Sequence, residues 1–172
     1  FALQAGDLES TFAGSQRPLE GIRAHQRIQR SRPPGYQPEV AVQHDIETDR
    51  FVLTINGRID GIFSDGDRTV IDEIKSTHRD LQTIEKAPNP LHWGQAKTYA
   101  WMVATQQELA AIDAQLTYVQ LATRETVEIR RSFTIEALDR FMAEIFETYI
   151  QWATRLERWR TIRDQSIRNC SF

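Results

Sequence analysis

Two stretches of strand-forming residues, joined by a tight-turn signal, carry ionisable side chains where a buried strand has little room for them. The first, Arg50 to Phe63 (RFVLTINGRIDGIF), holds Asp60. The second, Thr69 to Ser76 (TVIDEIKS), holds Asp72, Glu73 and Lys75. Both are rich in Val, Ile, Leu or Phe, as strands are. Gly57 marks a bend or bulge in the first. Between them, Ser64-Asp65-Gly66-Asp67 has the Asp-Gly signature of a hairpin turn. Ile59–Phe63 and Val70–Lys75 are therefore expected to pair antiparallel. Side chains alternate faces along a strand, so Glu73 and Lys75 share one face and Asp72 and Ile74 the other. Pairing through the turn brings Asp60 to the level of Asp72 and Glu73, so two carboxylates and an amine meet.

The rest of the chain builds a frame around that hairpin. Ser15 to Ser31 reads as a helix with sparse apolar positions at Leu19, Ile22 and Ile28, ended by Arg32-Pro33-Pro34-Gly35. Glu39 to Glu47 alternates loosely and reads as a strand. After the breaker Ala87-Pro88-Asn89-Pro90, Leu91 to Glu108 is helical, with Trp93, Ala96, Tyr99, Ala100 and Val103 near a 3.6-residue period. Ala114–Leu121 and Glu125–Phe133 form a second hairpin turning at Ala122-Thr123-Arg124. Thr134 caps a final helix running to about Arg163, its stripe formed by Leu138, Phe141, Met142, Ile145, Tyr149, Trp152, Leu156 and Trp159. Helix, three strands, helix, two strands and long helix make an α/β fold: a mixed central β-sheet of about five strands flanked by helices.

At 172 residues the chain is sized for a single domain, 1–172. It starts at Phe1 and stops at Phe172, and the expectation is a fragment of a longer chain. A single cysteine, Cys170, excludes a disulfide framework and an internal thiolate cluster. No apolar run reaches the roughly 20 residues of a membrane helix and no signal peptide opens the chain, so no membrane is expected and the expected location is cytoplasmic.

Two carboxylates held a few ångström apart repel unless a cation lies between them. Oxygen ligands of this hardness suit Mg²⁺ or Mn²⁺. A neighbouring lysine orients or deprotonates a water, or neutralises developing charge on a phosphorus centre. Such a set hydrolyses phosphodiesters. The bland alternative is an ion pair, Lys75 with Glu73 or Asp60, on the solvent face of an edge strand.

The segment GRIDG, followed thirteen residues after its Asp by Glu73-Ile74-Lys75, resembles the PD-(D/E)xK nuclease superfamily. Two further pieces are similar to its RecB-like branch. A helix 35 residues upstream of Asp60 carries His25 in GIRAHQRIQ, and the helix after the Glu-Ile-Lys strand carries Gln95-Ala-Lys-Thr-Tyr99. The resemblance implies a restriction-endonuclease-like core. It implies that His25, Asp60 and Glu73 ligate a divalent metal, with the Ile74 carbonyl as an extra ligand. Lys75 would orient the attacking water. Gln95 and Tyr99 would support the site or contact the DNA backbone. The family's iron–sulfur members need four cysteines, so no cluster is expected within this chain. Cofactor-binding residues other than these metal ligands are not expected.

Other residues have plainer expectations. His78 lies just past the Glu-Ile-Lys strand and could line the cleft, His44 belongs to the sheet surface, and His92 with Trp93 opens a helix. Trp152 and Trp159 read as core packing, although an exposed tryptophan could stack a base. The net charge of −3 argues on its face against nucleic acid, but it is unevenly spread. Residues 14–36 carry Arg17, Arg23, Arg27, Arg30 and Arg32 against Glu20, a net +4; residues 155–172 carry +3, and the middle, 37–154, carries −8. Arg23, Arg27 and Arg30 are thus candidate phosphate contacts on the helix that bears His25. The expected function is a Mg²⁺- or Mn²⁺-dependent deoxyribonuclease, an exo- or endonuclease acting in repair or recombination on DNA that is single-stranded or has a free end. A fused or associated helicase is the expected partner. The rivals are a non-catalytic DNA-docking module on the same scaffold and a metal-dependent phosphoesterase acting on RNA or a nucleotide.

Overall fold

The structure, a computed structural model, describes residues 17–48 and 52–169. Helix α1 (Arg17–Ser31) is followed by strands β1 (Gln37–Glu47), β2 (Val52–Asp65) and β3 (Arg68–Thr77). Helices α2 (Leu81–Lys86) and α3 (Pro90–Gln106) lead to strands β4 (Ala111–Gln120) and β5 (Thr126–Thr134), and α4 (Ile135–Asn169) closes the chain. The five strands lie in the order β1-β2-β3-β4-β5. Every neighbouring pair is antiparallel except β3 and β4, which run parallel because α2 and α3 cross over between them. This is the mixed, helix-flanked sheet expected from the sequence. The parts of that expectation on residues 1–16, Asp49, Arg50, Phe51 and Cys170 lie outside the described residues.

Local chemistry explains where the helices begin. Asn89 Oδ1 accepts the Leu91 N–H at 3.0 Å, with Pro90 just inside the helix, where its missing N–H costs nothing. Thr134 Oγ1 accepts the Ala137 N–H at 3.3 Å, as its capping role requires. The short α2 was not expected from the sequence. It forms because Asp80 Oδ2 caps Thr83 N–H at 2.9 Å, and Ile84 is its only buried residue.

The core is split by the sheet. On one face, Trp93, Ala96, Ala100, Met102 and Val103 of α3 meet Ile59, Ile71, Ile112 and Leu116 of the strands and Leu138 and Met142 of α4. On the other face, Ala24 and Ile28 of α1 meet Ile74 and Val119. Each strand contact face therefore shows which helix a given side chain addresses. Ile71 faces α3 and Ile74 faces α1, so Glu73 and Lys75 lie on the α3 side and Asp72 on the α1 side, the split the alternation implies.

Two expectations are corrected here. His44 is not a sheet-surface residue: it lies on the helix-covered face, its ring edge-on to Trp101 with centroids 4.5 Å apart. Trp152 and Trp159 are not core. They are 46% and 64% exposed, like Ile145 and Ile162 of the same helix, whereas Leu138, Met142 and Ala153 are buried. The helix also runs on to Asn169, beyond the expected Arg163.

Candidate active site

The hairpin opens where its charges begin. The β2–β3 ladder runs from Asp65↔Arg68 back to Gly61↔Asp72 and stops there. One step further the register sets Asp60 opposite Glu73. Instead of continuing the ladder, Asp60 puts its carboxylate between the strands, and Oδ2 accepts the Ile74 N–H at 2.7 Å. An ionised acceptor makes this a strong bond, and it fixes the carboxylate against the backbone between Glu73 and Lys75. The second oxygen, Oδ1, is 3.4 Å from His25 Nδ1 on α1.

The backbone of Asp60 is irregular in a way that serves this placement. On the β1 side, Pro38↔Gly61 and Val40↔Ile59 pair but Glu39 and Asp60 do not, and Glu39 has φ 55°. Ile59 and Ile62 both pack on the α3 side although they are three apart, so the alternation slips by one at this point. Bulge-like irregularities of this kind re-aim a side chain, here the Asp60 carboxylate.

Glu73 and Lys75 are buried side by side on β3, the middle strand. Their residues are 2% and 8% exposed, and Lys75 Nζ lies 3.1 Å from Glu73 Oε1. The edge-strand, solvent-face ion pair that the sequence left open is thereby excluded. Taking a charge out of water costs several kcal/mol per ion, and apolar residues would fill such a place at least as stably. Stability alone therefore gives no reason for this pair. Glu73 Oε2 is buried and accepts no hydrogen bond from the described residues.

The Gln95–Tyr99 pair of α3 closes the same corner. Gln95 hydrogen-bonds the Tyr99 phenol, and the ring lies against Gly57 so closely that a Cβ there would sit 2.7 Å from Tyr99 Cε1. Burial pushes the Tyr99 hydroxyl above its ordinary range, against the pull of Gln95, and the Glu73 and Asp60 charges push it the same way as burial. Both carboxylates thus act on one phenol. Lys75 lies beside Tyr118 of β4, whose hydroxyl is 2.9 Å from His92 Nδ1. His92 therefore does more than open a helix. His78 is exposed at a bend after β3 and enters none of these contacts with its ring.

On the α1 side lies a polar network that the sequence reading missed. Asp72 is fully buried. Its Oδ2 accepts Arg32 Nε at 2.9 Å, Arg32 Nη2 at 2.8 Å and Tyr36 Oη at 3.1 Å, and its Oδ1 accepts Thr117 Oγ1 at 2.5 Å. Arg32 also reaches Glu128 and donates to Thr117 Oγ1 at 2.7 Å. Burial pushes the Asp72 carboxyl up, against the pull of Thr117, Arg32 and Tyr36. Arg32, although burial works against its charge, is held above its ordinary value by Asp72 and Glu128. The available signal was weak: a charged residue at the start of Asp72-Glu73-Ile74-Lys75 on the face away from Glu73.

The arginines proposed as phosphate contacts are exposed, but on the outer side of α1. At 100° per residue, His25, Gln29 and Arg32 share the face toward Asp60, and Arg23, Arg27 and Arg30 lie roughly opposite. They do not stand beside the carboxylates.

An imidazole nitrogen and two carboxylates suit Mg²⁺ or Mn²⁺ by type, and the Ile74 carbonyl would be a further oxygen donor. His25 and Asp60 are already together, while Glu73 is turned onto Lys75. As they stand, no three His, Cys, Asp or Glu side chains among the described residues converge closely enough to hold an ion.

Comparison with known proteins agrees with this layout. The family model of the PD-(D/E)XK nuclease superfamily matches residues 7–172. No curated protein matches the chain. The crystal structure of SSO0001 is similar in fold, with a TM-score of 0.52 and 19% identity over 78% of this chain. The match covers 61% of that protein, so the chain spans less than two thirds of its length. No helix among the described residues is long and apolar enough to cross a membrane.

Proposed function

Because the chain belongs to the PD-(D/E)XK nuclease superfamily, we propose that it is a divalent-metal-dependent nuclease that hydrolyses DNA phosphodiesters with Asp60, Glu73 and Lys75. The observation that carries the reading is the Asp60 carboxylate braced on the Ile74 amide at 2.7 Å, opposite a buried Glu73–Lys75 pair on the middle strand. His25, Asp60 and Glu73, with the Ile74 carbonyl, would hold Mg²⁺ or Mn²⁺, which when bound supplies a Lewis acid and a more acidic water. Lys75 orients that water and stabilises negative charge as the phosphorus centre is attacked. Gln95 holds Tyr99, which fixes the wall of the site against Gly57. The outer-face arginines Arg23, Arg27 and Arg30 draw in a polyanion through their field rather than by contact at the carboxylates.

The docking-module alternative is less well supported, because Asp60, Glu73 and Lys75 are all present and charges buried on a central strand are costly to retain without use. A role in repair, preference for single strands or free ends, and association with a helicase belong to this proposal. The test is cleavage of labelled single-stranded DNA, double-stranded DNA and RNA with Mg²⁺ or Mn²⁺, comparing the native chain with Glu73→Ala and Lys75→Ala. Metal-dependent cutting of DNA that both substitutions abolish is the expected result. Equal cutting by all three proteins would remove the mechanism, and cutting confined to RNA would replace the substrate.

A further inference from the structure

We infer that Tyr36 is a positioning residue for the Asp60 carboxylate, acting through the Asp60 backbone carbonyl. The inference rests on the reading of Asp60 as an active-site carboxylate. Where the β1–β2 ladder skips Asp60, its carbonyl is taken by side chains: Gln29 Nε2 donates to it at 3.0 Å, and Tyr36 Oη lies 3.4 Å away. The same hydroxyl is 3.1 Å from Asp72 Oδ2, so its single proton is shared between a catalytic-strand backbone oxygen and a buried carboxylate. Asp72 is in turn fixed by Arg32 and Thr117. A continuous chain of contacts therefore runs from the end of α1, through Asp72 and Tyr36, to the peptide that carries Asp60.

Gly61 is the footprint of this contact. A Cβ at Gly61 would lie 1.9 Å from Tyr36 Oη and 2.0 Å from Tyr36 Cζ. Only a residue without a side chain lets the phenol reach the neighbouring carbonyl. The ring itself is seated beside Phe63, with centroids 5.9 Å apart, so it approaches from a fixed direction. The slip in alternation at Asp60 turns the carboxylate toward Ile74 N–H and His25, and Gln29 and Tyr36 hold the carbonyl that the slip releases. Removing that hold lets the peptide rotate, and the carboxylate moves with it.

The experiment measures Mn²⁺ binding directly, from the electron paramagnetic resonance of the free ion, on the whole chain. The native chain should bind and Asp60→Asn should not. Tyr36→Phe keeps the ring and should bind about tenfold more weakly, the usual scale for losing an outer support of a ligand. Gln29→Ala acts on the same carbonyl and should also weaken binding. Trp101→Phe removes the hydrogen bond to Asp139, outside this network and without touching Asp60, and should leave Mn²⁺ affinity near native. In cleavage assays Tyr36→Phe should lower kcat and leave KM for DNA unchanged, while its melt falls only by the loss of one hydrogen bond to Asp72. If Tyr36→Phe binds Mn²⁺ like the native chain, or Trp101→Phe weakens binding as much, the Tyr36 contact is only structural and the inference falls while the proposed function stands. If the native chain binds no Mn²⁺, or Asp60→Asn binds it equally, both fall together.

Discussion

Arg32 should be worth more to stability than any exposed arginine of the chain, and the structure allows the amount to be worked out. Arg32→Met removes both contacts to Asp72, the bond to Thr117 and the pair with Glu128. The Asp72 carboxylate stays behind, fully buried, with only the hydroxyls of Tyr36 and Thr117 and the Gln115 amide at 3.3 Å to replace water. Breaking one side of a buried pair costs about 3–5 kcal/mol. Small domains are stable by only about 5–15 kcal/mol, so a fifth or more of the total is at stake. Replacing both partners with apolar residues, Arg32→Met with Asp72→Leu, removes the stranded charge and should recover much of the loss. Arg23→Met, on the exposed face of the same helix, should fall within about 0.5 kcal/mol of native. Urea unfolding followed by circular dichroism measures the native chain, these three variants and the single Asp72→Leu. If Arg32→Met loses less than about 1 kcal/mol, or the double substitution is worse than the sum of the single ones, the pair is not the buried clamp described above.

Three further outcomes are expected. Gly57→Ala would put a Cβ 2.7 Å from Tyr99 Cε1, and should cost about 1–3 kcal/mol in overpacking and lower the cleavage rate by displacing Tyr99; a fully active, native-stability variant would show that Tyr99 does not need that seat. Trp101→Phe loses the 2.8 Å bond from its indole N–H to Asp139 and should cost about 1 kcal/mol in a denaturant melt without changing Mn²⁺ affinity. The triple substitution of Arg23, Arg27 and Arg30 to Ala should weaken DNA binding and flatten its salt dependence, by up to about 0.9 per lost phosphate contact. An unchanged salt slope would show that the outer face of α1 makes no phosphate contacts.

The architecture could be read from the chain because its hairpins and helices are local. Asp65-Gly66 sets the β2–β3 turn, Asn89-Pro90 starts α3, and the alternation along β3 separates Glu73 from Asp72 correctly. The charged cluster was legible for a related reason: charge on a strand is costly enough that Asp60, Glu73 and Lys75 stand out from their apolar surroundings. The supports of that cluster were not legible. Arg32 and Tyr36 lie in an unremarkable Arg-Pro-Pro-Gly-Tyr segment, and their partner Asp72 is some 40 residues away in the chain. Nothing local tells an arginine that it will be buried. Trp152 and Trp159 were misread because periodicity reports that a helix has an apolar stripe, not that something covers it. His44 was misplaced for the converse reason: a polar residue at an inward position of β1 found an aromatic neighbour in Trp101. Gly57 reads as a bend and Gly61 carries no local signal; the constraint on both is the approach of a tyrosine ring from elsewhere in the fold.

The central claim is that Asp60 and Glu73 share a divalent ion next to Lys75. Anomalous diffraction from a crystal of this chain soaked in millimolar Mn²⁺ tests it most directly. The account predicts a single strong peak between the Asp60 and Glu73 carboxylates, within reach of His25. Its contradiction would be a well-ordered Asp60 and Glu73 with no anomalous peak between them and His25 turned elsewhere.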